Sequence, residues 1–237
     1  MNSFSNQHVL VVGGSSGIGA ATAKAFAEAG ATVTIAARDI HKLSTAAAEI
    51  GHGVETAVID TTDVTQVDAF FAQRAPFDHI VISAARTPGG PIRQLALDDA
   101  AAAMDSKFWG AYRVARAARI NTGGSLTFVS GFLSVRPSKS SVLQGAINAA
   151  LEALARGLAL ELSPIRVNTV SPGMIDTPLW HRMPADARQA MFESAAARLP
   201  AGRVGQPNDI ARAVLFLAGN GFSTGSTVLV DGGGAIA

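Results

Sequence analysis

The stretch Val9–Arg38 reads VLVVGGSSGIGAATAKAFAEAGATVTIAAR. It begins with an apolar run, residues 9–12, that is too short for a helix and is followed by glycine, which predicts a buried strand. An alanine-rich helical segment follows the glycine cluster and ends at Gly30, and residues 31–36 form a second strand-like run. The order of strand, glycine turn, helix, glycine stop and strand predicts one βαβ unit.

The glycines between the strand and the helix indicate what this unit binds. Gly13 lets the chain turn sharply out of the strand, and the later glycines let backbone N–H groups and the start of the helix approach an anion. Those N–H groups and the positive end of the helix dipole then hold a pyrophosphate. A tight turn without a ligand is the simpler alternative. The strand before the cluster and the helix after it favour a dinucleotide site.

The spacing of the cluster is G-x-x-x-G-x-G rather than the more general G-x-G-x-x-G. Residues 13–19 resemble the T-G-x-x-x-G-I-G fingerprint of the short-chain dehydrogenase/reductase family, with Val12 where the motif has threonine. The resemblance extends over residues 8–234 by motif order and spacing, and includes the run GRVGQPNDIA at 202–211. It implies a nicotinamide dinucleotide as cofactor and a small molecule as substrate.

The whole chain alternates strands with helices and shows no linker, repeat or low-complexity stretch. This predicts one α/β domain over residues 1–237, a Rossmann-type doubly wound domain with a seven-stranded parallel sheet and helices on both faces. From the resemblance, the segment 178–200 is expected to form a pair of short helices over the substrate. Gly123 and Gly124 are expected to break the chain before the fifth strand. Strands are predicted at 9–12, 31–36, 54–59, 80–82, 125–130, 166–170 and 226–230, and long helices at 97–118 and 142–162.

Composition and charge limit the kinds of partner that the protein is expected to bind. The 237 residues carry a net charge of +1, with 48% hydrophobic and 16% charged residues, so nothing indicates binding to nucleic acid or to an anionic membrane surface. No apolar run approaches the ~20 residues that span a bilayer. The absence of cysteine excludes disulfides, thiol catalysis and cysteine-ligated metals, and no metal site is predicted. Because no signal peptide is visible at the N-terminus, a cytoplasmic location is expected.

Two places indicate which dinucleotide is bound. An acid at the end of the second strand of such folds binds the ribose 2′-hydroxyl, whereas an arginine accommodates a 2′-phosphate. Arg38 therefore favours NADP(H) over NAD(H), although Asp39 is adjacent and a solvated surface arginine is the alternative. Asp60 is a candidate to orient the adenine ring, and capping of the helix near Val64 is open to Asp60 or Asp63. The predicted cofactor set, largely implied by the resemblance, is Gly13, Ser15, Ser16, Gly17, Ile18, Gly19, Arg38, Asp60, Thr61, Ser83, Ala84, Ala85, Pro172, Gly173, Ile175 and Thr177.

The catalytic positions depart from the family pattern. The resemblance implies a tetrad in which Tyr handles the proton, Lys four residues later lowers the pKa of that Tyr, Ser binds the substrate oxygen and a helical Asn holds a water. The match of residues 158–162 (LALEL) to the end of the active-site helix sets the register. It puts Gln144 at the Tyr position, Asn148 at the Lys position, Gly131 at the Ser position and Lys107 at the Asn position, so all four residues are substituted.

Two of these substitutions are candidates for catalytic work. Gln144 does not titrate near neutrality, but its amide can donate a hydrogen bond to a carbonyl. Lys107, if it points into the cleft, is suited to stabilise an oxyanion or to act as a general acid. For Gln144 the alternative is a structural polar residue, and for Lys107 it is a surface lysine. Tyr112 is the sole tyrosine, and it lies on the earlier helix with Arg116 four residues on, so it copies the spacing in the wrong element.

Three functions remain open from the sequence. The first is an atypical NADP(H)-dependent oxidoreductase, the second an inactive NADP(H) sensor or partner subunit, and the third an isomerase or lyase that reuses the cleft. Ser130 and Ser134 are near enough in sequence to approach the same cleft. The resemblance also implies a homodimer or homotetramer, formed through the two long helices and through the last helix and strand.

Overall fold

The structure is a computed structural model and describes residues 4–237. Within these residues seven strands form one sheet, in which every neighbouring pair is parallel, with the order β3-β2-β1-β4-β5-β6-β7. The predicted doubly wound, seven-stranded parallel sheet is confirmed. The strands are β1 (His8–Val12), β2 (Thr32–Ala37), β3 (Glu55–Val58), β4 (Phe77–Ile82), β5 (Ile120–Val129), β6 (Arg166–Pro172) and β7 (Thr227–Val230).

Helices cover both faces of the sheet. They are α1 (Gly17–Glu28), α2 (Ile40–Ile50), α3 (Val64–Ala72), α4 (Leu97–Met104), α5 (Gly110–Ala117), α6 (Val142–Glu161), α7 (Ala185–Ala196) and α8 (Pro207–Gly219). A π-helical turn, Asp105–Trp109, joins α4 to α5, and short 3-10 turns lie at Phe132–Ser134 and Pro178–Arg182.

Two apolar layers hold this arrangement together. On one face the buried side chains of α1, α2 and α8, such as Phe26, Leu43 and Leu217, pack against the sheet. On the other face α3, α5 and α6 contribute buried residues such as Phe71 and Leu151. Burial of such side chains stabilises a fold by about 1.5–3 kcal/mol each, so the two layers fix the sheet between them.

The strand order reverses between β1 and β4, and this point positions the site. In open parallel sheets a crevice forms at the carboxyl ends of the strands where the order reverses. Gly13 follows β1 and Ser83 follows β4, and the N–H of Ser83 donates to Val12 O at 2.9 Å. The two strand ends therefore lie side by side at the opening of the crevice.

Two boundaries predicted from the sequence are wrong. Strand β5 begins at Ile120, and Gly123 and Gly124 lie within it. Between the pairs Phe77↔Ile120 and His79↔Ser125, β4 advances two residues while β5 advances five, so the glycines belong to a bulge and do not break the strand. The helix predicted at 97–118 is interrupted by the π turn at Asp105–Trp109, where the hydrogen-bond pattern widens by one residue.

Candidate active site

The glycine corner, residues 13–19 after β1, packs tightly against neighbouring backbone. Gly13 has φ of 88°, and a Cβ atom placed there would lie 2.5 Å from Ala84 N. A Cβ at Gly19 would lie 2.1 Å from Gly13 O and 2.6 Å from Ser83 Oγ. Only hydrogen fits at both positions, so the corner brings backbone groups closer than any side chain would allow.

The start of α1 faces this corner without a side-chain cap. Its N-cap residue, Ser16, has extended backbone angles and makes no side-chain capping bond, and the first turn contains no acid. Within the described residues, the leading N–H groups of α1 are thus not consumed by a capping side chain. Such groups, together with the helix dipole, bind phosphate. Ser15, Gly17 and Ile18 complete the same turn.

The second predicted cofactor segment lies opposite the first. A Cβ at Gly17 would be 3.5 Å from Thr177 Cβ, so the glycine corner and the segment after β6 face each other. Pro172 ends β6, and the N–H of Gly173 donates to Val230 O at 3.0 Å. Ile175 is buried and forms a β-bridge with Gly205. The fold therefore brings two segments 160 residues apart, 13–19 and 172–177, to one crevice.

The two acids near the predicted adenosine end have different roles. Asp39 caps α2 by accepting from the N–H groups of His41 and Lys42 at 3.0 and 3.1 Å, and the bond from Lys42 is the main reason why the pKa of Asp39 is lowered. Arg38, exposed just beyond β2, has no hydrogen bond or ion pair within residues 4–237. The cap fixes Asp39 and leaves the Arg38 guanidinium available.

Asp60 and Thr61 lie at the end of β3. Asp63, and not Asp60, caps α3, through Thr65 N at 2.9 Å and Gln66 N at 3.2 Å. Asp60 instead accepts from the backbone N–H and the hydroxyl of Thr62, at 2.9 and 2.8 Å. Asp60 therefore remains at the strand end, where an adenine contact is open to it.

Ser83, Ala84 and Ala85 follow β4 on the floor of the crevice. The Ser83 hydroxyl donates to Val12 O at 3.1 Å, and the N–H of Ala84 donates to the same oxygen at 3.1 Å. These bonds tie the end of β4 to the end of β1. The small side chains leave the space above the strand ends to a ligand.

The Lys107 side chain crosses from the π turn to β5 and α6. Its Nζ donates to Ser130 O at 2.7 Å and to Asn148 Oδ1 at 2.6 Å. The side chain is partly accessible along its length, but the nitrogen is densely surrounded by protein atoms. Burial therefore lowers the pKa of Lys107 to about 8, and the negative charge of Glu152 partly offsets that effect. Lys107 does not behave as a surface lysine.

Gly131 and Asn148 fit one another. A Cβ at Gly131 would lie 2.7 Å from Asn148 Nδ2, so a side chain at 131 would displace the Asn148 amide. That amide is 4% exposed and holds Lys107. Three of the four positions singled out from the sequence, residues 107, 131 and 148, thus form one contiguous cluster.

Gln144 lies one turn before Asn148 but faces the loop after β4. Its Nε2 donates to Pro88 O at 2.8 Å and to Thr87 O at 3.4 Å, so two loop carbonyls engage the amide nitrogen. Its Oε1 is buried and has no hydrogen-bond partner within residues 4–237. The loop therefore engages the Gln144 amide nitrogen, and donation from it to a substrate carbonyl stays a prediction that requires the loop at Thr87–Pro88 to move.

Tyr112 does not join the cluster. It is 41% exposed on α5, and its ring packs edge-on against Trp109. Arg116, four residues later, pairs with Asp68 on α3. The only tyrosine of the sequence therefore lies outside the crevice.

The segment after β6 forms two short helices, as expected for 178–200. They are the 3-10 turn Pro178–Arg182 and helix α7, Ala185–Ala196. The indole N–H of Trp180 donates to Ile175 O at 2.8 Å, and its ring meets Phe192 edge-on. The indole bond ties the segment to the residues after β6, and the ring contact joins its two helices.

Glu152, which lies behind Lys107, is a residue of this site that no sequence motif indicates. Its carboxylate is 7% exposed and accepts from the hydroxyls of Ser130, Ser134 and Ser171. The available signal was an acid on the buried face of α6, next to Leu151 and one turn after Asn148. A charged residue is rarely buried without partners, which marks such a position for attention.

Comparisons with known proteins identify the family. A family model described as enoyl-(acyl carrier protein) reductase matches residues 12–234. The short-chain dehydrogenase/reductase ATR9 of Stachybotrys chlorohalonatus is 32% identical over 253 aligned positions, covering 98% of each chain. The chain belongs to the short-chain dehydrogenase/reductase family. Proteins of this family use nicotinamide cofactors.

Two solved structures of short-chain dehydrogenase/reductase type are similar over nearly the whole chain. A small-chain dehydrogenase in complex with NADPH has 35% identity and a TM-score of 0.85, covering 98% of this chain and 99% of its own. A short-chain oxidoreductase from Pseudomonas aeruginosa PAO1, described as containing an atypical catalytic center, has 28% identity and a TM-score of 0.90, with 98% of each chain covered.

Two further properties concern the described residues alone. Within residues 4–237, no helix combines the length and the apolar character that crossing a membrane requires. Among the same residues, no three His, Asp or Glu side chains come together in a way that could hold a metal ion.

Proposed function

We propose that this short-chain dehydrogenase/reductase is an NADP(H)-dependent oxidoreductase of atypical mechanism, in which Lys107 replaces the tyrosine of the family's tetrad as proton donor. The observation that carries the proposal is the setting of the Lys107 ammonium. Ser130 O and Asn148 Oδ1 accept two of its three hydrogens, and the proposal assigns the third to a substrate oxygen.

The crevice fits a dinucleotide. At Gly13 and Gly19 a Cβ would collide with backbone atoms, and the first turn of α1 is open to phosphate. Thr177 faces that turn from across the crevice, and Ser83, Ala84 and Asp60 follow the ends of strands β4 and β3. When bound, the nicotinamide would supply or accept a hydride.

The preference for NADP(H) rests on Arg38. Its guanidinium is unpaired within residues 4–237, whereas the adjacent Asp39 is occupied in capping α2. An arginine at this place accommodates a 2′-phosphate, and an acid that already caps a helix is poorly placed to bind a 2′-hydroxyl. The two observations together favour the phosphorylated cofactor.

The proton chemistry follows from the pKa of Lys107. Reduction of a carbonyl leaves an alkoxide, and the ammonium gives that oxygen a proton, so the products are the alcohol and a neutral amine. In the oxidative direction the neutral amine takes the alcohol proton. A pKa of about 8 makes both forms accessible near neutral pH, which suits general acid–base catalysis. Asn148 and Ser130 hold the nitrogen in position for either direction.

An NADP(H) sensor or inactive partner subunit is the second candidate, and Gln144 is the observation that favours it. The Gln144 amide fastens the loop at Thr87–Pro88 over the position where the family has its tyrosine. With this loop closed, the protein would bind the cofactor but would not admit a substrate. If the protein binds NADPH and no substrate leads to its oxidation, this second function is favoured over the first. No contact of the described residues favours an isomerase or lyase.

We also expect a homodimer or homotetramer. Large apolar side chains on the two predicted long helices are exposed in the single chain, and a subunit contact through these helices would bury them. They include Leu97, Trp109, Val142 and Leu160. Light scattering of the purified protein at several concentrations would measure the state.

The test begins with fluorescence titration of NADPH and NADH, followed by a carbonyl-substrate screen at the nicotinamide absorbance band. We expect Lys107→Met to lower kcat by about a hundredfold or more, the usual contribution of a positioned acid, while the Kd for NADPH stays within about twofold. Lys139→Met removes an exposed lysine and serves as the matched control. The wild-type reduction rate should fall as pH rises through about 8, because Lys107 loses its proton there.

Each contrary outcome has a definite meaning. Failure to bind either nucleotide would exclude both the redox and the sensor functions. NADPH binding with no consumption over the whole screen would favour the sensor. Equal kcat values for Lys107→Met and Lys139→Met would remove Lys107 from the mechanism.

A further inference from the structure

Glu152 is a buried carboxylate that the proton chemistry above does not use. It lies one helical turn after Asn148 on α6, and its Oε1 accepts three hydrogen bonds from hydroxyl groups. The donors are Ser130 at 2.8 Å, Ser134 at 2.8 Å and Ser171 at 3.3 Å. They come from the end of β5, the 3-10 turn after it and β6, so three separate segments converge on one oxygen.

Ser130 connects this carboxylate to Lys107. Its hydroxyl donates to Glu152, while its carbonyl accepts from Lys107 Nζ at 2.7 Å. Asn148, the other acceptor of Lys107, lies four residues before Glu152 and therefore on the same side of α6. The ammonium and the carboxylate are thus held on either side of Ser130 by one strand end and one helix face.

The other charged groups around Lys107 are engaged elsewhere or exposed. Asp105, on the same π turn, pairs with Arg113 Nη2 at 2.7 Å. Arg136, just after the 3-10 turn, donates to Gly234 O at 3.0 Å. Arg86 on the loop after β4 and Arg156 on α6 are exposed. Glu152 is the charge that raises the pKa of Lys107 against the effect of burial.

We infer that Glu152 is a positioning residue, whose carboxylate, fixed by three serine hydroxyls, keeps Lys107 as an ammonium in the crevice. The inference rests on the proposed function of Lys107, but it concerns the charge of Lys107 and has a readout that needs no turnover. Without the carboxylate, a nitrogen so deeply surrounded would have no charge to balance it. Glu152 acts through Lys107 and does not touch the substrate.

The test is an NMR titration of the full chain labelled with ¹³C and ¹⁵N lysine. The protein has four lysines, and the Lys107→Met spectrum assigns the signal of Lys107. In Glu152→Gln, which keeps an acceptor oxygen but removes the charge, we expect the Lys107 midpoint to move to lower pH. Glu161→Gln removes an exposed carboxylate from the same helix and should leave the midpoint unchanged. Glu152→Asp keeps the charge, so its Lys107 midpoint should lie close to the wild-type value.

Activity provides a second readout. If Lys107 is the acid, Glu152→Gln should lower kcat near neutral pH severalfold and move the alkaline limb of the rate profile to lower pH, with KM for NADPH little changed. A wild-type protein without any turnover would contradict the proposed function and still leave the lysine titration to decide about Glu152.

Two results would overturn the inference. The first is a Lys107 midpoint in Glu152→Gln equal to that of wild type. The second applies if Glu152→Gln does not fold: the double variant Lys107→Met/Glu152→Gln should then recover the fold, because no uncompensated ammonium remains. If the double variant fails in the same way, the carboxylate has a structural role that is independent of Lys107.

Discussion

The two sides of the crevice are built in different ways. The glycine corner is built from closely packed backbone: Cβ atoms at Gly13 and Gly19 would lie 2.5 and 2.1 Å from neighbouring backbone atoms. The Lys107 cluster is built from side chains of the π turn, β5 and α6, joined by hydrogen bonds of 2.6–2.8 Å. The spacing of glycines in the sequence therefore predicts the first side directly. The residues of the second side can be exchanged, and its chemistry changed, without any change of fold.

The largest effect is expected on the glycine side. Gly19→Ala places a methyl group 2.1 Å from Gly13 O, and a backbone atom cannot yield as a flexible side chain would. We expect a loss of about 3 kcal/mol in the free energy of unfolding and at least a hundredfold weaker NADPH binding. Urea unfolding and nucleotide titration measure the two effects.

Gly157→Ala is the matched control on α6. Apart from the backbone of its own helix turn and its chain neighbours, no heavy atom lies within 4 Å of a Cβ at Gly157, and the position is in a helix interior. The variant should be stabilised by about 0.5–1 kcal/mol, because alanine loses less backbone entropy. If Gly19→Ala and Gly157→Ala have the same free energy of unfolding and the same affinity for NADPH, neither property depends on the close backbone approach at Gly19.

A smaller effect, of roughly 2 kcal/mol, is expected from Lys107 and depends on pH. The pKa of Lys107 is about 8 in the folded protein and about 10.4 in an unfolded chain. Between these values the unfolded chain binds more protons, so the contribution of Lys107 to stability rises as pH rises from 8 to 10. Urea unfolding of wild type and Lys107→Met at several pH values isolates this contribution. A difference that stays flat over this range would mean that Lys107 titrates like an exposed lysine.

The smallest effect is expected at the adenosine end, where two adjacent residues have separate roles. Arg38→Ala should weaken NADPH binding by about tenfold, the effect of one lost charged hydrogen bond, and leave NADH binding unchanged. Asp39→Ala should lower the midpoint of thermal unfolding through loss of the α2 cap, with the nucleotide preference kept. Equal losses for the two nucleotides in Arg38→Ala would contradict a 2′-phosphate contact.

Much of the fold was predictable because its signals are local. Short apolar runs bounded by glycine mark β1 and β2, and all seven strands were expected near their observed places. The start of β5 was misplaced, since a Gly-Gly pair in a bulge has the same local sequence as a break. The π turn was missed because the residues at 97–118 are compatible with a continuous helix.

The site was only partly predictable because its contacts are long-range. Register placed Lys107, Gly131, Gln144 and Asn148, and the structure brings three of them together. The direction of the Gln144 amide depends on the loop at Pro88, 56 residues away in sequence. The role of Glu152 depends on hydroxyls 18 to 22 residues away on three segments. No spacing rule within one helix gives either result.

The π turn at Asp105–Trp109 implies that chain length, as well as residue identity, decides whether an ammonium enters the crevice. A π turn is equivalent to one extra residue in an α-helix, and one residue corresponds to a rotation of about 100°. Loss of a single residue from this turn would restore a continuous helix and swing Lys107 away from Asn148, with no amino acid of the cluster exchanged. A variant of this chain with one residue deleted from the turn is therefore expected to lose the contact between Lys107 and Asn148 while it keeps the sheet and the glycine corner.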